Sequence, residues 1–179
     1  MDFHCSLSQK AVKYMSEFKI RNAKVKDVKA MQLLINHYAQ KREMLPRSLN
    51  DIYENLQEYV VAESNGKVVA CCALHISWED LAEVKALAVA EGFMKKGIGS
   101  KLVLECHKKA KELGVNEVFC LTYKPKFFVN LKYKQISRDK LPHKVWGECV
   151  KCPHFPNCGE VPLLIVLKKV KKPKSFSRN

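Results

Sequence analysis

The sequence predicts one α/β domain, with a mixed central sheet of about six to seven strands flanked by about four helices. Three observations carry this. Apolar residues recur at helical spacing over residues 24–40, and again at Ile98, Leu102, Cys106 and Ala110. Asn65-Gly66 separates two strand-like runs, 59–63 and 67–77, and this dipeptide suits the positive φ angles of a tight hairpin. Finally, Leu87-Ala88-Val89 followed by Met94-Lys95-Lys96-Gly97-Ile98-Gly99-Ser100 reads as a strand end, a turn and the first turn of a helix. Strands and helices that alternate in this way pack as helices against the faces of one sheet.

In chain order, residues 1–17 show no periodicity and read as a loosely held arm. A domain spans 18–169, starting with a strand at 18–22. Val25, Val28, Met31, Leu34, Ile35 and Tyr38 define the first helix. Pro46 interrupts, and Ser48 can cap a short second helix to about Leu56. The hairpin follows, then a strand over 81–89 on which the side chains of 83, 85, 87 and 89 are expected to share a face. The long helix ends near Leu113-Gly114, where glycine fits a helix C-cap. A buried strand at 118–122, a short helix at 124–131 and a strand at 132–137 lead into a Pro- and Cys-rich loop at 138–160. A last strand over 161–169 closes the sheet, and 170–179 form a basic tail.

Composition narrows the functional classes. The chain has 179 residues and is 47% hydrophobic, enough for a single sizeable core. The longest apolar runs, 68–74 and 161–167, fall far short of the ~20 residues of a membrane span. Asp2 and the lack of an apolar signal core point to the cytoplasm. The net charge is +14. Lys168, Lys169, Lys171, Lys172, Lys174 and Arg178 crowd the end of the chain, and the remaining cations spread over helix faces. An anionic substrate and cofactor account for that charge more simply than nucleic acid does. Eight cysteines in a cytosolic chain argue against a disulfide framework. Cys71, Cys72, Cys106 and Cys120 lie in apolar segments and read as small core residues. Cys149, Cys152 and Cys158, with His154 or His143 nearby, have partial zinc-ligand spacing, and reduced structural thiols, or a disulfide or redox role, fit the same residues.

The turn at 94–100 predicts an anion site. Helix-starting N–H groups lack partners, the helix dipole is positive there, and Gly97 and Gly99 let a phosphate approach, with Lys95 and Lys96 adding charge. No Gly-Lys-Ser/Thr ending follows, and no Gly-x-Gly-x-x-Gly is present, so the triphosphate and dinucleotide fingerprints fail. The segment is similar instead to the acetyl-CoA loop of the GNAT acyltransferases, Gln/Arg-x-x-Gly-x-Gly/Ala, with Met94 where Gln or Arg is usual. Asn36-His37-Tyr38, Met44-Leu45-Pro46-Arg47-Ser48, Ala73-Leu74-His75, Trp78-Glu79-Asp80-Leu81-Ala82-Glu83, Leu121-Thr122-Tyr123, Pro142-His143-Lys144-Val145-Trp146 and Cys149-x-x-Cys152 resemble the short, single-domain N-acetylglutamate synthases.

The resemblance implies the GNAT fold over about 18–169 and acetyl transfer from acetyl-CoA to the α-amine of L-glutamate, the first committed step of arginine synthesis. It implies pantetheine pairing along Leu87, Ala88 and Val89, pyrophosphate on the amides of Lys95 to Ser100, and a backbone N–H near 87–89 stabilising the oxyanion. Glu83 is the candidate base, with Asp80, Glu79 and His75 behind it; the competing reading is a surface charge paired with Lys85. Phe128 stands where many relatives carry an acidic tyrosine, leaving Tyr123 or Tyr133 as substitutes. Arg47, Lys85, His143 and Lys144 are candidates for the substrate carboxylates. A GNAT enzyme acting on another amino acid, a polyamine or a protein terminus remains the alternative, as does a non-catalytic acetyl-CoA-binding or nucleic-acid-binding protein. Homo-oligomerisation is left open.

Overall fold

The computed structural model describes residues 18–141 and 157–167. Local sequence signals set most of its elements: β1 (Lys19–Asn22), α1 (Val28–Gln40), α2 (Leu49–Glu54), β2 (Tyr59–Ser64), β3 (Lys67–Ile76), β4 (Leu81–Val89), α3 (Ile98–Glu112), β5 (Glu117–Thr122), α4 (Pro125–Asn130), β6 (Lys134–Gln135) and β7 (Val161–Val166). Asn65 and Gly66 adopt φ of 49° and 74° and turn β2 into β3. The Ser48 hydroxyl accepts the Asp51 N–H at 3.0 Å and caps α2. Gly114, at φ 84°, ends α3: its N–H reaches the Lys111 carbonyl, and the Val115 N–H reaches that of Ala110. Those two bonds form a Schellman cap.

The strands form one seven-stranded sheet in the order β1-β2-β3-β4-β5-β7-β6. Neighbours are antiparallel except β4 and β5. One core, between the sheet and α3, includes Ala82, Val84, Leu102, Val103, Cys106 and Val118. A second, on the opposite face, joins Met31 and Ile35 of α1 to Val61, Cys71 and Ala73. Cys71, Cys72, Cys106 and Cys120 are all buried, as small apolar residues would be.

Two features of β4 position everything that follows. Its parallel pairing with β5 covers only Leu81, Ala82 and Glu83, opposite Glu117, Val118 and Phe119. Beyond that point the strands part and β4 presents an edge toward β5. The second feature is a bulge: Cys71 pairs with Ala88 but Ala73 with Lys85, so Cys72 faces both Ala86 and Leu87. Ala86 takes a φ of 52°, uncommon for a residue with a Cβ.

The bulge overturns the expectation that 83, 85, 87 and 89 share a face. Ala82 and Val84 join the α3-side core before it, whereas Leu87 and Val89 pack against that same core after it. Ala86 and Ala88 lie on the α1 side. Glu83 and Lys85 are thereby separated from Leu87 and Val89 by the sheet.

The strand expected over 132–137 shrinks to two residues. Lys132 has a φ of 72°, and the Tyr133 N–H still bonds the Phe128 carbonyl at 3.1 Å, so the chain is closing α4 there and starts pairing late. The expected N-terminal arm, the middle of the Cys-rich loop and the basic tail fall outside the described residues. Among those described, no helix is long and apolar enough to cross a membrane.

Candidate active site

A cavity of about 840 Å³ opens where β4 and β5 part. Its walls come from both faces of the sheet, because the gap passes through it. On the α3 side lie Val84, Leu87 and Val89 with the turn residues Met94, Lys95, Gly97, Ile98, Gly99 and Ser100. On the α1 side lie Glu83, Lys85, His75 and Arg47, and the β5 end contributes Thr122 and Tyr123.

The turn is built to expose amides. Lys95 and Gly97 have φ of 59° and 76°, and Gly97 is the N-cap of α3. The Lys101 N–H is bonded to the Gly97 carbonyl at 3.1 Å, which begins the helical ladder and leaves the N–H groups of 98–100 ahead of it. At Gly99 an added Cβ would lie 3.4 Å from the Phe127 ring and 3.6 Å from Val89, in ordinary van der Waals contact, so α3 passes close to β4 and α4 here. The end of β4 is tied to α1 on the other face, where the Tyr38 hydroxyl donates to the Val89 carbonyl.

Gly97 has open space around its Cα, so its requirement is conformational rather than steric. Gly97→Val should therefore misdirect the helix-start amides, at a backbone cost of about 1–2 kcal/mol. The expected result is an acetyl-CoA affinity lower by about tenfold in titration calorimetry, the equivalent of ~1.4 kcal/mol. Unchanged affinity would remove these amides as the anion site.

Ala88 and Lys96 stand off the cavity wall. The Ala88 side chain is buried in the α1-side core, and the Lys96 ammonium sits 5.0 Å from the centre of the Phe93 ring. Glu83, Lys85, Arg47 and Tyr123 come together on one cavity, although they are far apart in sequence. Arg47 is aimed by its own backbone: its N–H donates to Asn36 Oδ1 at 2.9 Å, and its carbonyl accepts from Asn36 Nδ2 at 3.2 Å and Gln32 Nε2 at 3.3 Å. Its guanidinium lies 3.3 Å from Asp51.

The two tyrosine candidates separate clearly. Tyr133 is 2% exposed, and its hydroxyl is 2.7 Å from His107 Nε2. Burial raises its phenol far above the ordinary range and lowers His107 to about 4. Tyr133 therefore serves packing, beside Phe128, with ring centres 5.2 Å apart. Tyr123 is 38% exposed and lies on the cavity wall.

His143, Lys144, Cys149 and Cys152 lie outside the described residues. Cys158 is half-buried, with its Sγ 3.6 Å from Glu160 Oε2, and among the described residues no group of three potential ligands gathers for a metal. Sequence reasoning missed Arg138 and Glu160, which also line the cavity. The Arg138 guanidinium donates to the carbonyls of Cys158 and Glu160, at 2.8 and 2.7 Å, and so ties the approach to β7 against the site. The sequence carries no local signal for that long-range pairing.

Comparison with known proteins bears on the chemistry. The model of the acetyltransferase (GNAT) family matches residues 26–127. The chain is 38% identical over 148 residues to an uncharacterized N-acetyltransferase of Chlorobaculum tepidum, covering 83% of this chain and 96% of that one. It is 36% identical over 132 residues to the amino-acid acetyltransferase of Mycobacterium tuberculosis, covering 72% and 75%. A Mycobacterium tuberculosis protein crystallised in complex with CoA matches with a TM-score of 0.74 at 32% identity, over 83% of this chain and 99% of that one. The N-acetylglutamate synthase of Neisseria gonorrhoeae, complexed with coenzyme A and N-acetyl-glutamate, shares the fold with a TM-score of 0.79 at 23% identity, over 86% of this chain and 36% of its own.

Proposed function

The chain belongs to the acetyltransferase (GNAT) family, and from that premise we propose that it transfers acetyl from acetyl-CoA to the α-amine of L-glutamate, giving N-acetyl-L-glutamate for arginine biosynthesis. One observation carries the reading. The open edge of β4, the α3 amides, the Glu83 carboxylate and the Arg47 guanidinium share a single cavity. The first two fit a peptide-like arm ending in a diphosphate, and the last two fit an amino acid.

Acetyl-CoA supplies the activated acetyl carbon. An α-ammonium is mostly protonated at neutral pH, with a pKa of about 8 or above. Glu83 takes one of its protons, directly or through water, and so frees the lone pair for attack. The bulge at Ala86 interrupts the β3 pairing beside Leu87, and an N–H there donates to the oxygen on which negative charge develops. One such donor is worth about 3 kcal/mol in acyl transfer. Tyr123 gives a proton to the departing thiolate and is restored by the second proton, which the attacking nitrogen loses as it becomes an amide. Arg47 and Lys85 hold the two carboxylates of the acceptor, which selects a dicarboxylic amino acid over a polyamine.

The test is thiol release from acetyl-CoA against a panel of amino acids and polyamines, with an acceptor-free control. Glutamate should give the highest kcat/KM. A neutral amino acid or a polyamine that exceeds it would overturn the proposed acceptor while leaving the family assignment untouched. Arg47→Gln should raise the KM for glutamate by about ten- to a hundredfold, from the ~1.5–3 kcal/mol of a charged hydrogen bond, with the KM for acetyl-CoA nearly unchanged. Equal KM values for glutamate in variant and parent would remove Arg47 as a carboxylate anchor.

A further inference from the structure

Beside Glu83 lies a carboxylate–imidazole pair that the chemistry above leaves unused. His75 Nδ1 is 2.6 Å from Glu58 Oε1. The other Glu58 oxygen, Oε2, is buried and has no hydrogen-bond partner among the described residues. His75 is the cross-strand partner of Glu83 in the β3–β4 ladder, and both line the cavity. Directly opposed residues of an antiparallel pair point to the same face, with Cβ atoms about 5 Å apart. An imidazole and a carboxylate on such a pair can reach each other.

We propose that His75, held by Glu58, is a proton relay that empties Glu83 after each deprotonation of the acceptor. This rests on Glu83 as the base. A carboxylate facing Nδ1 fixes the neutral tautomer with the proton on Nδ1, so Nε2 is a bare acceptor. The proton balance closes. The ammonium passes a proton to the Glu83 carboxylate, whose acid form passes it to His75 Nε2. The resulting imidazolium faces the Glu58 carboxylate, and the Nε2 proton then leaves to solvent through the cavity mouth. His75 is partly exposed, at 34% of its side chain, so that exit is open. The Glu58 charge balances the imidazolium at the moment it forms, and among the described residues the side-chain hydrogen bonding of this carboxylate rests on the histidine. Glu58 is a positioning residue, and its place is set from the backbone side, where Lys109 Nζ donates to the carbonyls of Gln57 at 2.8 Å and Glu58 at 3.5 Å. The charged groups around the imidazole are thus Glu58 from the turn before β2, Glu83 and Lys85 from β4, Arg47 across the cavity, and Lys109 of α3 behind Glu58.

The experiment compares kcat–pH profiles of the full chain with His75→Gln, His75→Ala, Glu58→Gln and Glu83→Gln, using acetyl-CoA and glutamate. His75→Gln should lower kcat at neutral pH by about tenfold, below the range of a direct acid–base group. The KM for acetyl-CoA should stay near the parent value. His75→Gln and Glu58→Gln should both change the acid limb of the profile, Glu58→Gln with the smaller loss of kcat, and added imidazole should restore part of the kcat of His75→Ala. A merely structural histidine would give no imidazole rescue and an unmoved profile, and that result overturns the relay. If the His75 variants fail to fold, the Glu58→Gln profile alone decides. Loss of rate in Glu83→Gln with parental behaviour in the His75 and Glu58 variants refutes the relay and keeps the base. Parental rate in Glu83→Gln refutes the base itself.

Discussion

Glu83→Gln is expected to lower kcat by about 10²- to 10⁴-fold, with the KM for acetyl-CoA nearly unchanged. Glutamine keeps the size of the side chain and its hydrogen-bonding capacity but has no useful basicity. The effect is therefore chemical rather than architectural. Glu83 sits at the last paired position of β4 with β5, opposite Phe119, so its backbone is fixed on both sides while its side chain faces the cavity. The anion turn is on the other face of the sheet, beyond the bulge, and has no reason to respond. The pH dependence has a definite sign. Raising the pH toward the acceptor's own pKa supplies free amine without a base, so the variant should recover part of its rate under alkaline conditions while the parent gains less. Steady-state kinetics between pH 6 and about 9.5 read both effects. A kcat equal to the parent's across that range would eliminate Glu83 as the base.

Much of this arrangement is legible from local sequence because local physics decides it. Asn65-Gly66, Ser48 and Gly114 each solve a backbone problem within four or five residues, and each adopts the conformation its chemistry suggests. The helix start at Gly97 belongs with them. The bulge at Ala86 does not. Alanine is an ordinary strand residue, and a positive φ is expected of glycine or asparagine. That φ is imposed by pairing with β3, and nothing near Ala86 announces it. A single extra residue then exchanges the faces of everything after it. This is why the sequence groups Glu83 with Leu87 and Val89 on one face of the strand, while the fold puts them on opposite faces. Long-range partners stayed hidden for a similar reason: Asn36 aiming Arg47, Glu58 holding His75 and Arg138 tying down Glu160 are fixed by tertiary approach alone.

Phe119→Ala is expected to cost about 3–5 kcal/mol of stability, the range for truncating a fully buried phenylalanine. Its ring is 0% exposed and forms a small core with Leu81 and Leu141, against which Leu121, Ile136 and Leu164 pack. This cluster lies at the apex of the gap between β4 and β5, the point at which pairing stops. A typical domain is stable by only ~5–15 kcal/mol, so the loss is a large fraction of the total. For a chain of this size it corresponds to a fall in Tm of roughly 6–20 °C. The functional consequence follows from position. A cavity at the apex lets β5 move relative to Glu83, which should lower kcat at temperatures where the protein is still folded. The acetyl-CoA affinity, set by the α3 amides, should change less. Phe119→Leu refills most of the volume and should recover most of both losses. Calorimetric melting and kcat measured well below the Tm decide the matter: a Tm shift under about 3 °C would mean that this ring does not hold the seam from which the two strands diverge.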